Sequence, residues 1–461
     1  MTIRANSPAA RDVASLIHPY TNLRTHQDVG PVVMSRGDGV RVIDDQGKEY
    51  IDALAGLWCA SLGFQQERLV EAAAEAMAKL PFYHTFTGKS HEPGIDLAEK
   101  LLELAPVPMS KVFFANSGSE ANDTAIKLAW YFNNAHDRPE KKKIISRTNA
   151  YHGVTIATAS LTGLPNNHRD FDLPIDRFLH TSCPHHYRYA EPGETEVEFS
   201  DRCARDLEDL IEREGADTIA AFIAEPVMGA GGVIPPPEGY FERIQPILKA
   251  NDILFIVDEV ICGFFRTGKR FGAETFGLQP DMMTMAKALS SGYLPISALM
   301  ISDPIYQAMV KESEKIGVFG HGFTYGGHPV SCAVAIETLK IYDEIEISSH
   351  VERVAPYFQA RLRRAGEHPL IGEARGLGLV GGLEIVKNKE TGEPFDAAHM
   401  VAAFAARHAE DGGVITRGIG DTLAFSPPLV IDEDHIDWLF AVVETALDET
   451  SAMVEREGLR D

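Results

Sequence analysis

The stretch Ile253-Leu254-Phe255-Ile256-Val257-Asp258-Glu259 reads as a strand covered on both faces of a parallel sheet. It is short, rich in β-branched residues and apolar without alternation up to Asp258. Asp258 then stands at the carboxyl end of the strand, where open α/β sheets place their ligands and a carboxylate can hold a cationic partner. Twenty-nine positions on comes Lys287, in the small and apolar setting Met285-Ala286-Lys287-Ala288-Leu289-Ser290-Ser291-Gly292. Partial desolvation lowers the pKa of such a lysine and frees its amine to form a Schiff base. The competing reading is a strand-end Asp capping a turn and a solvated Lys, so the two residues gain meaning only from their surroundings.

Working outward, strand and helix alternate from Ile95 to about Val330, as a doubly wound sheet requires. Strands are expected at Val112-Phe114, Lys143-Ser146, Thr218-Ala224, Ile253-Val257 and Ala298-Ile301. Before them, residues up to about Leu23 read as an arm, Val40 to Asp52 as a β-hairpin, Leu54 to Leu62 as an apolar loop, and Gln66 to Leu80 as an amphipathic helix closed by Pro81. Pro329 opens a helix to about Tyr342; short strands follow at Gly382-Val386, Val414-Thr416 and Leu423-Phe425, then a last helix from Asp434 to Met453. This gives three units: residues 1–60 as arm and hairpin joining a small α+β domain, 61–330 as the large domain, and 331–461 as the rest of the small domain.

Composition narrows the function. The 461 residues are 44% hydrophobic and 24% charged, as in soluble globular proteins. Against 67 Asp and Glu stand 43 Lys and Arg, a net charge of −24 without the basic footprint that nucleic acid or an anionic membrane requires. Five widely spaced cysteines make no disulfide framework and imply a reducing compartment. Residues 1–6 lack the apolar core and cleavage site of a leader, and no stretch approaches a membrane span, so a cytoplasmic location is expected.

Four strand ends carry chemistry. Asn116-Ser117-Gly118-Ser119-Glu120-Ala121-Asn122 lies between a strand and a helix; Gly118 permits close backbone approach and Ser119 adds a hydroxyl beside the helix's unpaired N–H groups, which suits a phosphate. An ordinary capping box on Ser117 and Glu120 explains the same residues. Tyr151-His152-Gly153 puts an aromatic side chain where it can stack on a planar ring, or packs simply as a turn with core aromatics. Glu225-Pro226 opens a glycine-bearing loop at the end of Thr218-Ala224. Ser119, Tyr151, Glu225 and Asp258 therefore converge on one edge of the sheet. Other motifs lack their context: Gly376-Leu377-Gly378-Leu379-Val380-Gly381 leads into a strand rather than a helix, and Cys183-Pro184-His185-His186 has no second ligand pair spaced to complete a metal site. No metal is expected.

Taken in order, these motifs resemble the class III pyridoxal-phosphate-dependent aminotransferases of the aspartate-aminotransferase fold type (fold type I), and most of all bacterial amine–pyruvate (omega) transaminases. The likeness spans nearly the whole chain, from the Trp58 loop through the motifs above to His321-Gly322-Phe323-Thr324-Tyr325-Gly326-Gly327-His328-Pro329 and Arg417. It implies pyridoxal 5'-phosphate as cofactor, with Lys287 carrying it as a Schiff base and later moving a proton. Asp258 would pair with the ring nitrogen, Gly118 and Ser119 hold the phosphate, Tyr151 and Val260 cover the two ring faces, and Glu225 support the site from behind. Thr324 would reach the phosphate bound by a neighbouring subunit, implying a homodimer with shared sites. Tyr20, Trp58 and Phe86 resemble the family's aromatic lining, Phe86 lent by the partner, and Arg417 its clamp for the carboxylate of an oxo-acid.

The resemblance implies a transaminase moving an amino group between a primary amine or ω-amino acid and pyruvate. Decarboxylating transamination, aminomutation and the use of 2-oxoglutarate are the alternatives on the same site. Two departures stand out. Where the ornithine and 4-aminobutyrate branches carry a glutamate facing the clamp arginine, this chain has Ala230, and where the family has a glycine it has Phe265.

Overall fold

The structure, a computed structural model, describes residue 4 and residues 6–460. Most of the leader-peptide reading, which concerned residues 1–6, therefore falls outside the described residues. The arm is more regular than its mixed composition suggests. Ser7 accepts from the N–H of Ala10 and Pro8 opens helix Pro8–Ser15, while Asn22 accepts from the N–H groups of Arg24 and Thr25 to start helix Leu23–Val29.

The hairpin forms as β2 (Arg41–Asp44) and β3 (Glu49–Asp52), preceded by an edge strand, β1 (Met34–Asp38), whose exposed residues carry no apolar alternation. The loop after it contains a distorted turn, Ala55–Trp58, with Gly56 and Trp58 at positive φ.

The central sheet has seven strands: β4 (Lys111–Ala115), β5 (Lys143–Arg147), β6 (Phe178–Thr181), β7 (Ile219–Ala224), β8 (Leu254–Asp258), β9 (Met282–Met285) and β10 (Ser297–Ile301). Their spatial order is β4-β10-β9-β8-β7-β5-β6. All neighbours pair in parallel except β10, which runs antiparallel to both β4 and β9. Five of these seven strands match the sequence reading. β6 and β9 do not: β6 is an edge strand with two half-buried positions, and β9 is rich in methionine, whose unbranched side chain signals no strand. Every residue of β7 and β8 is buried, which is why neither alternates.

The C-terminal region forms a second antiparallel sheet from β11 (Ile371–Leu377), β12 (Val380–Ile385), β14 (Arg417–Ile419) and β15 (Thr422–Phe425), in the order β11-β12-β15-β14. The short β13 (Val414–Ile415) joins the N-terminal hairpin instead, pairing in parallel with Ile51 and Asp52 of β3. The glycine-rich Gly376–Gly381 segment is the turn between β11 and β12, not a phosphate loop. Phe265 is buried at φ +75 with Phe264 before it at φ +60; a non-glycine residue there costs about 1–3 kcal/mol. Its ring packs edge-on to Tyr342 and beneath the Arg270 guanidinium, 5.0 Å away. Among the described residues no helix is long and apolar enough to cross a membrane.

Candidate active site

The strand ends of the central sheet open into a cavity of about 750 Å³. Gly118, Ser119, Tyr151, Glu225, Asp258, Val260 and Lys287 line it, together with Tyr20, Trp58 and Arg417. Ten of the twelve residues singled out from the sequence thus meet in one place. Phe86 and Thr324 do not line this cavity; both lie on exposed surface, with Phe86 packed against Gly322 of the segment that carries Thr324.

Asp258 is buried at the cavity floor as the last residue of β8. Its Oδ2 accepts from Asn122 Nδ2 and from His152 Nδ1, each at 2.8 Å, and its Oδ1 from the N–H of Val260 at 3.1 Å. Asn122 is itself held by Thr284 Oγ1, 2.8 Å from its Oδ1. These three donors fix the orientation of the carboxylate. Asn122, His152 and Thr284 were not assigned roles from the sequence. Asn122 and His152 stand inside the motifs quoted above, but their common partner is more than a hundred residues away.

Lys287 follows β9 and begins a short turn at φ +43, a strained conformation for a side-chain-bearing residue. It keeps part of its surface open to the cavity, yet desolvation draws its pKa below the usual lysine value, against the opposing pull of Asp258. Glu225 is fully enclosed. Burial pushes its pKa up, while its two oxygens accept from the N–H groups of Tyr151 (3.0 Å) and Gly229 (2.9 Å). Arg147 donates to the Glu225 carbonyl at 2.7 Å, tying the loops after β5 and β7 together.

Ser117 caps the eighteen-residue helix Gly118–Ala135, accepting from the N–H of Glu120. Glu120 reaches Asn116 rather than the N–H of Ser117, so only half of a capping box forms. The helix's first turn, with Ser119, faces the cavity. Two glycines keep that corner open. A Cβ on Gly118 would come 3.0 Å from Val260, and one on Gly153, at φ +134, would come 2.5 Å from Ser119 Oγ. A hydroxyl at a helix N-terminus, a fixed carboxylate and a lysine of lowered pKa are a donor set that fits pyridoxal phosphate: an anion, a ring nitrogen and an aldehyde.

The side chain of Arg417, at the start of β14, has no ion pair or hydrogen bond among the described residues, and its guanidinium lies 5.7 Å from the Tyr20 ring. Tyr20 accepts from Asn167 Nδ2 at 2.6 Å. Ala230 lines the same cavity. His185 does meet two carboxylates, Glu373 and Glu384, but Arg375 and Arg188 already bind them.

A family model described as Aminotransferase class-III matches residues 23–447. The chain belongs to the class III aminotransferases. It is therefore an aminotransferase enzyme of PLP fold type I, and its cofactor is pyridoxal phosphate. Among similar proteins is the tomato (Solanum lycopersicum) "Gamma aminobutyrate transaminase 3, chloroplastic", 52% identical over 441 residues, 95% of this chain and 85% of that one. Among solved structures, the omega transaminase from Pseudomonas jessenii in complex with PMP is 52% identical, with a TM-score of 0.96 over 97% of this chain and 99% of that one. A transaminase solved with L-alanine is 55% identical, with a TM-score of 0.90 over 92% of this chain and all of that one. Asp258, Lys287 and Arg417 of this class III aminotransferase line one cavity.

Proposed function

We propose that this aminotransferase moves an amino group between a primary amine or ω-amino acid and pyruvate, giving alanine. The observation that carries the reading is Arg417, a cavity-wall arginine with no carboxylate partner among the described residues and with Ala230 lining the same cavity. An arginine so placed binds the acceptor's carboxylate with two parallel hydrogen bonds. It stays stacked on Tyr20 when the bound amine has none. Apart from Lys287 and His152, Arg417 is the one basic side chain among the described residues lining the cavity. One cation matches the single carboxylate of pyruvate, whereas a dicarboxylic acceptor such as 2-oxoglutarate has a second carboxylate to place.

Within this reading each residue has a task. The bound cofactor supplies an electron sink for the charge left when the amine-bearing carbon loses its proton. Lys287 Nζ takes that proton, and the desolvation that lowers its pKa favours the neutral amine this task requires. Asp258 holds the ring nitrogen protonated, and Asn122, His152 and Val260 hold Asp258. Gly118 and Ser119 bind the phosphate, Tyr151 and Val260 confine the ring, and Glu225 braces the loop under Tyr151. Trp58 and Tyr20 shape the donor pocket. Thr324 and Phe86 are lent to a neighbour's cavity in a homodimer. Five free cysteines, four of them buried, support a reducing, cytoplasmic setting.

A second reading makes 4-aminobutyrate the donor. The tomato relative is named for that substrate, and Arg417 serves equally for a donor carboxylate in one half-reaction and an acceptor carboxylate in the other. A panel of 4-aminobutyrate, β-alanine, putrescine and an aryl-alkyl amine, each with pyruvate and with 2-oxoglutarate, separates the readings. Alanine formed with pyruvate at rates well above glutamate formation is the expected result. Preference for 2-oxoglutarate, release of carbon dioxide, or isomerisation without a second substrate overturns it.

A further inference from the structure

Two groups of histidine and carboxylate side chains, both apart from the catalytic centre, bring their ligand atoms within 4.8 Å of one another. In the first, His185 with Glu373 and Glu384, the positive charge is already supplied. Arg375 binds both carboxylates and Arg188 binds Glu384. The second is in the N-terminal arm and is different. Asp12 Oδ1 lies 2.9 Å from His18 Nε2 and 3.0 Å from His26 Nε2, while His18 Nε2 is also 3.0 Å from Oδ2. No lysine or arginine pairs with Asp12 among the described residues. Two imidazoles thus point their Nε2 atoms at one carboxylate, with only their own protons between.

We propose that Asp12, His18 and His26 form a binding site for a divalent transition-metal ion, zinc foremost, and that the ion pins the arm segment carrying Tyr20 into the active-site cavity. Zinc sits about 2.0–2.2 Å from nitrogen and oxygen ligands, so neighbouring ligand atoms around it stand about 3.0–3.5 Å apart. The observed N···O separations of 2.9 and 3.0 Å need open by only a few tenths of an ångström. Two imidazoles and one carboxylate also select zinc and its neighbours over calcium and magnesium, which prefer all-oxygen shells. His18 and Asp12 keep 26% and 17% of their side-chain surface exposed, which leaves a way in and room for water at the remaining positions.

The placement in the chain gives the site a consequence. His18 precedes Tyr20 by two residues and His26 follows it by six, so an ion bound to both closes the base of the turn that presents Tyr20. Tyr20 itself is 62% exposed, at φ +50, and is held by Asn167 and the Arg417 stack. Restraining this turn restrains one wall of the cavity. That last step rests on the proposed role of Tyr20 in substrate binding; metal binding at the trio does not.

The test therefore reads binding and arm order rather than activity. Holoenzyme is dialysed to equilibrium at low-micromolar free zinc, its metal content is measured, and trypsin cleavage after the exposed Arg24 is followed with and without the ion. One zinc per chain and slower cleavage after Arg24 are expected, both lost in His18→Ala/His26→Ala and in Asp12→Asn. Absence of zinc from the wild type, or equal zinc in the variants, overturns the site. Zinc bound at the trio with unchanged cleavage overturns the pinning of the arm. A failure of the transaminase reading would show in the donor panel and leave these measurements untouched.

Discussion

His152 Nδ1 donates to Asp258 Oδ2 at 2.8 Å, on the same oxygen that Asn122 reaches at 2.8 Å, while the N–H of Val260 holds the other oxygen. Asp258 is thus the hub of the cavity floor and His152 one of three supports. Asp258→Asn is expected to lower kcat at least about 10²-fold, the scale seen when a preorganised electrostatic partner is removed. His152→Ala, which leaves Asn122 and Val260 in place, is expected to cost less. Steady-state kcat with one donor and pyruvate decides the order, and equal losses would make His152 as central as the aspartate.

On the proposed function, Arg417 separates substrates by their carboxylates. A charge-assisted hydrogen bond contributes about 1.5–3 kcal/mol, or roughly 10- to 150-fold in affinity. Arg417→Leu is expected to raise KM for pyruvate by that order and to leave KM for a carboxylate-free amine nearly unchanged. Equal changes in both would remove Arg417 from the role.

The proposed catalytic centre was legible to the extent that chemistry sits at strand ends. β8 betrays itself by unalternating burial, and Asp258, Ser119, Tyr151 and Glu225 follow from where their strands stop. What was not legible is what depends on distant partners. His152 and Asn122 look like turn and helix residues until β8 places Asp258 against them across 106 and 136 residues. β9, which leads to Lys287, has four buried residues but three are methionines, so its sequence carries no strand signal. The trio in the arm was equally silent, because His18 and His26 stand 6 and 14 residues from Asp12 and meet it only in the folded arm.

Glu259 offers a stability test that is independent of catalysis. It is buried beside Asp258, accepts from the N–H groups of Gly272 and Ala273, and burial raises its pKa from the ordinary 4.5 to about 8. A carboxyl whose folded pKa is raised binds more protons folded than unfolded between those two values. Its contribution is therefore fully present below about pH 4.5 and is lost as the pH rises through about 8. Glu259→Gln does not titrate. The melting temperature of the wild type relative to this variant is expected to fall as pH rises from about 5 to about 8; a flat or rising difference would contradict the sign.

Thr324 and Phe86 lie on exposed surface away from their own chain's cavity, and the dimer reading has them complete the partner's. This makes a prediction that no single variant can make. Thr324→Ala alone is expected to weaken cofactor binding on the order of tenfold, the value of one hydrogen bond to a charged group, and Lys287→Ala alone to abolish turnover. In a mixed dimer of the two chains, the cavity with an intact Lys287 receives its Thr324 from the Lys287→Ala chain, so one site regains both residues. The other site loses both. Co-expression with two affinity tags isolates the mixed dimer, and cofactor titration of its activity should then return the wild-type affinity. If Thr324 instead serves its own cavity, every active site in the mixed dimer keeps the weakened affinity.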